Sequence, residues 1–285
     1  MRKTVFLVIF IFSFFKTIAC SCETPIPIIE FDSSEFVFEG KAISKVYAKD
    51  SLTYKITFKI SKHYKKGNNP KKLEFELENH DKSQIQSSCD WTVNKSENWL
   101  VYAYYWNDKL TFNYYCSNSK RLNTSSISLK ERKMLENGNL FRIENYIFEN
   151  DIGFTYIFNM TVSDINSILN RGETKKHKSN STRLTVHIKS NGNLSSVIRE
   201  KELIKKKDSI FDFITEITDK NKTPISEFEK DAMKLVNKVE KWEIKKHDAT
   251  KKNVSYIRNV EIFYNGKTNK WSYKFQNTTG NNVYN

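Results

Sequence analysis

Eight glycines and four prolines in 285 residues are too few for a glycine-rich phosphate cradle, a collagen-like repeat or a proline-rich spacer. Nucleotide-dependent chemistry is therefore not expected. Histidine is also scarce: the five, His63, His80, His177, His187 and His247, stand far apart in sequence and form no His-x-x-x-His or His-Glu-x-x-His pair. No Gly-x-Ser-x-Gly elbow exists, and a disulfide-paired cysteine cannot act as a nucleophile. The chain reads as a non-enzyme, with no cofactor and no metal site of its own. His187, in the middle of a strand-like run, reads as outward-facing and inert. Aromatic residues, by contrast, are plentiful. Twenty Phe, 14 Tyr and 5 Trp supply a core and exclude a chain that stays disordered, and the length suits two domains.

No stretch approaches twenty apolar residues, so no membrane-spanning helix is expected. The longest apolar run, Thr4 to Phe15, follows Arg2 and Lys3 and precedes Lys16 and Thr17-Ile18-Ala19. That order of charge, apolar run and small residues is an export signal, expected over residues 1–19. Its roughly 18 Å of helix falls short of the roughly 30 Å hydrocarbon core. Thr-Ile-Ala-Cys is also an imperfect lipoprotein signal, in which Cys20 would be lipidated and the protein would meet a membrane. The alternative is ordinary cleavage after Ala19. Cysteine number bears on the choice: with four, Cys20, Cys22, Cys89 and Cys116, lipidation would strand one of the other three, whereas two disulfides use them all. A secreted or cell-envelope location follows from either.

Forty-seven basic residues against 33 acidic ones give +14, or +11 without Arg2, Lys3 and Lys16. Such a balance suits nucleic acid, acidic glycans or a lipid surface. The basic residues are scattered, however, and Lys, Asn, Ile, Phe and Tyr are enriched together, as an AT-rich coding bias would do. No nucleic-acid partner is expected.

From Glu35 the chain reads as strands. Glu35–Ile43, Tyr54–Ile60, Leu73–Leu77, Trp99–Tyr104 and Lys109–Tyr114 carry apolar residues at or near alternate positions. Five short strands predict a small closed barrel of the OB type over residues 20–122. The clustered rings Tyr102, Tyr104, Tyr105, Trp106, Tyr114 and Tyr115 suit stacking on sugars or bases, but are read as filling and covering the barrel.

One set of motifs stands in a specific order: Cys20-Ser21-Cys22, Phe36-Val37-Phe38-Glu39-Gly40-Lys41-Ala42, Tyr64-Lys65-Lys66-Gly67, Ser88-Cys89, Trp99-Leu100-Val101-Tyr102-Ala103 and Tyr115-Cys116-Ser117. This order resembles the netrin-like amino-terminal domain of tissue inhibitors of metalloproteinases. The resemblance implies disulfides Cys20–Cys89 and Cys22–Cys116, out of three pairings that four cysteines allow. Each would add about 4–5 kcal/mol in the chain-entropy model. It further implies a protease-binding segment Cys20-Ser21-Cys22, in which the free amino nitrogen and carbonyl oxygen of Cys20 chelate a partner's catalytic zinc and Ser21 points into its specificity pocket. An amine with a reference pKa of about 8 is partly deprotonated at neutral pH and suits that task. Asp90 stands where the family has glycine, and the family's cysteine-rich second domain has no counterpart here.

Residues 123–182 read as a connection: a short helix over Ser126–Gly138, ended by the glycine, strands over Phe141–Met160, and a mobile polar linker over 172–182. Residues 183–276 read as a small α+β domain. Leu184–Lys189 and Leu194–Arg199 flank Asn191-Gly192 as a hairpin. A helix with Thr223 as cap and Pro224 in its first turn carries the stripe Phe228, Ala232, Leu235, Val236 and Val239. Two late strands follow, Val254–Tyr264 and Trp271–Phe275. The hairpin, the stripe, Lys241-Trp242 and Asn259-Val260-Glu261-Ile262-Phe263 are similar to the carboxy-terminal domain of TonB-type energy transducers, which pair with an extended peptide by strand addition. The chain has neither the inner-membrane helix nor the proline-rich spacer of a transducer, so what the resemblance implies is a protein-binding module with Val254–Phe263 as its edge. The expected fold class is thus mainly β with α+β: a netrin-like OB barrel followed by a helix-on-sheet TonB-like domain. Two functions are carried forward, a zinc metalloprotease inhibitor and an envelope adaptor that binds its partner by strand addition.

Overall fold

The computed structural model describes residues 22, 24–80, 89–149, 164–247 and 250–275. It is mainly β, with curled sheets, and divides into two compact units at Asn139/Leu140. The stretch 123–182, read as a connector, is thereby shared between the units.

The first unit begins with helix α1 (Pro27–Ser33), followed by strands β1 (Phe36–Tyr47), β2 (Thr53–His63), β3 (Lys72–Glu78), β4 (Asn98–Trp106), β5 (Lys109–Thr111) and β6 (Lys120–Arg121). The order β3-β2-β1-β4-β5 is antiparallel throughout, with β6 on β4. Two register shifts between β1 and β2, at Glu39/Gly40 and Ala42/Ser44, bend the sheet, since a bulge adds local twist. The bend brings β5 back toward β3, where Lys109 Nζ lies 3.6 Å from Glu76 Oε1.

Strand periodicity then sorts the side chains. Phe38, Phe58, Phe75, Trp99, Val101 and Phe112 form the inner core, with Phe75 and Phe112 edge to face at 5.1 Å. On the other face of β4, Leu100 and Tyr102 are fully buried, and α1 packs there. Helix α2 (Leu129–Asn137) packs on α1, capped by Ser128, whose side chain accepts from Glu131 N. Gly138 ends α2 as its C-cap, as expected, with a right-handed φ of −54°. Its missing side chain serves close packing, because a Cβ there would stand 2.7 Å from the Phe31 ring of α1.

The second unit is organised around one long strand. It contains β7 (Ile147–Glu149), α3 (Ile165–Asn170), β8 (Ser181–Ile188), β9 (Leu194–Arg199), β10 (Leu203–Lys207), β11 (Ile214–Asp219), α4 (Glu227–Val236), β12 (Lys245–Lys246), β13 (Asn253–Asn265) and β14 (Lys270–Phe275). Strand β8 pairs along Tyr256–Phe263, while β7 and β14 pair with Ser255–Ile257 and Val260–Asn265. The sheet order β10-β11-β7-β13-β8-β9 therefore puts β13 in the interior. Val254–Phe263 is not an edge, and its backbone is not open to strand addition. The β8–β9 hairpin turns through Gly192 at φ +79°, where a Cβ would also meet Trp242 O at 2.7 Å.

Helix α4 lays Phe228, Ala232, Leu235 and Val236 on β8 and β9, and all four are buried, as is Val239 beyond the helix end. It starts later than expected. Ser226 is the cap, in a capping box with Glu229. Thr223 serves another purpose: its hydroxyl donates to Glu202 Oε1 at 2.6 Å and accepts from Arg199 Nη1 at 3.0 Å. Strands β10 and β11 were not expected at all.

The polar stretch after α3 is not a loose linker. Trp271 Nε1 donates to Glu173 O at 3.2 Å, Lys175 Nζ lies 2.7 Å from Asp231 Oδ2, and the His177 side chain is 2% exposed between Phe228, Tyr264 and Trp271. Strands within Phe141–Met160 are described only at β7; residues 150–163 lie outside the described ones.

Candidate functional site

The site expected from the sequence is the amino-terminal segment. Cys22 is exposed and bonded to Cys116, with Cα atoms 5.7 Å apart. Cys89 is also disulfide-bonded, and no described cysteine is free. Cys20 and Ser21 lie outside the described residues. A disulfide of this kind belongs to an oxidising, non-cytoplasmic compartment. No helix among the described residues is long and apolar enough to cross a membrane.

Covalent tethering is reinforced by a buried carboxylate that sequence reasoning missed. Glu30, on α1, accepts from Ser117 Oγ, from Asn118 N at 2.7 Å and from Asn118 Nδ2 at 2.6 Å. Asn118 Nδ2 also donates to Pro25 O at 2.9 Å. Ser117 Oγ stands 2.9 Å from Ser119 Oγ, which accepts from Tyr102 N at 2.9 Å. The chain entering α1, the segment after Cys116 and strand β4 are thus one hydrogen-bonded unit. Burial raises the Glu30 carboxyl above its usual range, more than the donors from Ser117 and Asn118 lower it. The only hint in the sequence was an acid in the middle of Ile28-Ile29-Glu30-Phe31, where an exposed turn would not be apolar on both sides.

At the far end of α1, Lys65 Nζ donates to the carbonyls of Phe31 at 3.0 Å, Asp32 at 2.8 Å and Ser34. A cation on the last carbonyls satisfies orphan acceptors and opposes the negative helix end. Burial lowers its pKa, partly offset by Asp32 and Glu35. The middle of the seven-residue helix and its carboxy end are therefore fixed from outside, by Glu30's partners and by Lys65.

Beside the disulfides lies a cleft of about 770 Å³. Cys89 and Cys116 line it, together with Glu76, Glu78 and His80 on one side and Tyr104, Trp106 and Tyr115 on the other. His80 Nδ1 is 3.3 Å from Asp90 Oδ1. The aromatic cluster expected to fill and cover the barrel separates into two groups. Tyr102 is fully buried, whereas Tyr105, Trp106 and Tyr115 are 59%, 67% and 40% exposed.

His187 in β8 is half-buried rather than outward-facing, and burial lowers its pKa, with Lys189 adding to the effect. Among the described residues, no three His, Cys, Asp or Glu side chains come together as metal ligands. No protein family and no curated protein sequence matches the chain.

Proposed function

We propose that this is an exported protein-binding protein whose amino-terminal Cys20-Ser21-Cys22 segment blocks a zinc metalloprotease. The observation that supports this reading most directly is the anchoring of Cys22: bonded to Cys116, and followed by Pro25 and Glu30 held on the Ser117-Asn118 backbone and side chains. A protruding inhibitory segment must be rigid, because each side chain ordered on binding costs about 0.5–1.5 kcal/mol. The sheet order β3-β2-β1-β4-β5, with β5 curling back to β3, agrees with an OB-type, netrin-like barrel as the platform.

In this proposal Cys20 pairs with Cys89, cleavage after Ala19 frees its amine, and the Cys20 main-chain N and O together chelate the partner's zinc. Ser21 enters the neighbouring specificity pocket. No zinc belongs to the inhibitor itself. Lipidation of Cys20 would remove the amine and with it the mechanism.

The decisive experiment is a fluorogenic assay against a panel of zinc endopeptidases, comparing the native chain with one carrying an alanine before Cys20. Inhibition that vanishes on extension supports chelation. Equal potency of the two forms, or no inhibition of any member, overturns it.

A further inference from the structure

We infer that the cleft beside the disulfides is a binding site for a neutral oligosaccharide, gripped by Trp106 and Tyr115. This goes beyond protease inhibition and stands on different side chains.

The geometry begins with the β4–β5 hairpin. Asn107 and Asp108 both have positive φ, 48° and 59°, which is the two-residue turn whose twist matches that of the flanking strands. The tip is therefore a defined shape. Tyr104 and Trp106 are two residues apart on β4 and project from one face, paired with Thr111 and Lys109 of β5. That face lines the cleft. Trp106, 67% exposed, is an indole held in water at the end of the hairpin strand. Tyr115 is positioned independently: Asn113 Oδ1 accepts from Tyr114 N at 2.7 Å and Tyr115 N at 3.2 Å, and the next residue is the bonded Cys116. Two exposed rings on separately fixed segments, facing one cleft, form stacking platforms.

Charge decides the class of ligand. Although the chain is strongly basic, the described residues that line the cleft are not. Lys109 is matched by Glu76 at 3.6 Å, and the His80 ring lies 3.3 Å from the Asp90 carboxylate. Glu78 adds an exposed carboxylate and Asn107 an exposed amide. A polyanion such as nucleic acid or a sulfated glycan meets no excess of cations among the described residues there. Flat rings bordered by carboxylate and amide acceptors and donors fit instead the C–H faces and hydroxyls of an uncharged sugar. The volume of about 770 Å³ lies within the roughly 300–1,000 Å³ of ordinary ligand sites.

The test uses the fluorescence of the full exported chain. Of its five tryptophans, Trp99, Trp242 and Trp271 are buried, whereas half-buried Trp91 and exposed Trp106 both line the cleft, so removing the indole of Trp106 isolates its share of a ligand-dependent change. Titration with cellotetraose, chitotetraose and maltotetraose, with a heparin-derived oligosaccharide as the charged control, is expected to give a saturable blue shift with at least one neutral sugar. That affinity is expected not to change with sodium chloride. Trp106→Ala and Tyr115→Ala should each weaken binding, measured by calorimetry, by roughly tenfold. Trp106→Phe should retain most of the binding and reduce the emission change to what Trp91 contributes. Adding alanine before Cys20 should leave saccharide binding unaltered, which separates this site from protease inhibition. The inference falls if no neutral sugar binds, if binding survives Trp106→Ala undiminished, or if heparin alone binds and is released by salt.

Discussion

The two units fasten a segment outside the strands to the body of the fold with different chemistry. In the first, a disulfide and a buried carboxylate tie the amino-terminal segment to the residues after β5. In the second there is no cysteine, and a fully buried arginine does the equivalent work. Arg199, at the end of β9, donates from Nη2 to Thr223 O at 3.0 Å and from Nη1 to Thr223 Oγ1 at 3.0 Å, and lies 3.8 Å from Glu229. Burial alone would raise the Glu229 carboxyl, but Lys201 at 2.8 Å and the Ser226 donors hold it below the usual range. One unit thus depends on oxidation and the other on a charge kept ionised in the interior. Their sensitivities should differ accordingly.

The largest expected effect sharpens that contrast. Replacing both Cys22 and Cys116 by serine, or reducing the bond, should cost the first unit about 4–5 kcal/mol, since the bond spans 94 residues. The second unit should be unmoved. Urea unfolding followed by hydrogen exchange of β4 and β13 amides would report the units separately, and equal losses in both would break the comparison. Arg199→Met is the converse, expected to cost the second unit about 3–5 kcal/mol by leaving Thr223 and Glu229 without their buried partner. Amides of β1–β4 should not respond.

A smaller effect concerns pH. A carboxyl with a raised folded-state pKa contributes stability that is complete below its unfolded value, here 4.5, and is lost as pH rises through the folded value. The first unit should therefore lose stability as pH climbs above about 4.5, and Glu30→Gln should flatten that dependence in chemical denaturation at a series of pH values. An unchanged slope would count against Glu30 as its source. The smallest effect is Ser226→Ala, expected to cost about 1 kcal/mol by removing the α4 cap, read as a modest fall in the second unit's urea midpoint.

Much of the β structure was legible because burial follows the side-chain period. Tyr54, Ile56 and Phe58 are buried and Lys55 and Lys59 exposed, as the alternation in β2 requires. Strand β10 was illegible for the opposite reason. Four of the five residues in Leu203-Ile204-Lys205-Lys206-Lys207 are exposed, so no apolar face marks it. It is an edge strand, and its lysines face Glu149, Glu216 and Asp212. Lysine on an edge discourages pairing with foreign strands. Composition likewise misled at Gly172–Thr182, where one imidazole buried among three rings outweighs a run of polar neighbours. The helix cap was readable, since Ser226-x-x-Glu229 is a capping-box spacing, but Pro224 drew the boundary earlier. At the candidate site, Cys22 and Cys116 are brought together by the fold. The supporting residues Glu30, Lys65 and Asn118 had no sequence pattern of their own, because each acts through contacts across the fold rather than through periodicity.

The bond between Cys22 and Cys116 also orders events in time. Synthesis delivers the two sulfurs 94 residues apart, so the leading residues cannot be locked until nearly the whole first unit has emerged into an oxidising space. The segment around Cys22 is thus locked late, after all five strands β1 to β5 have been made.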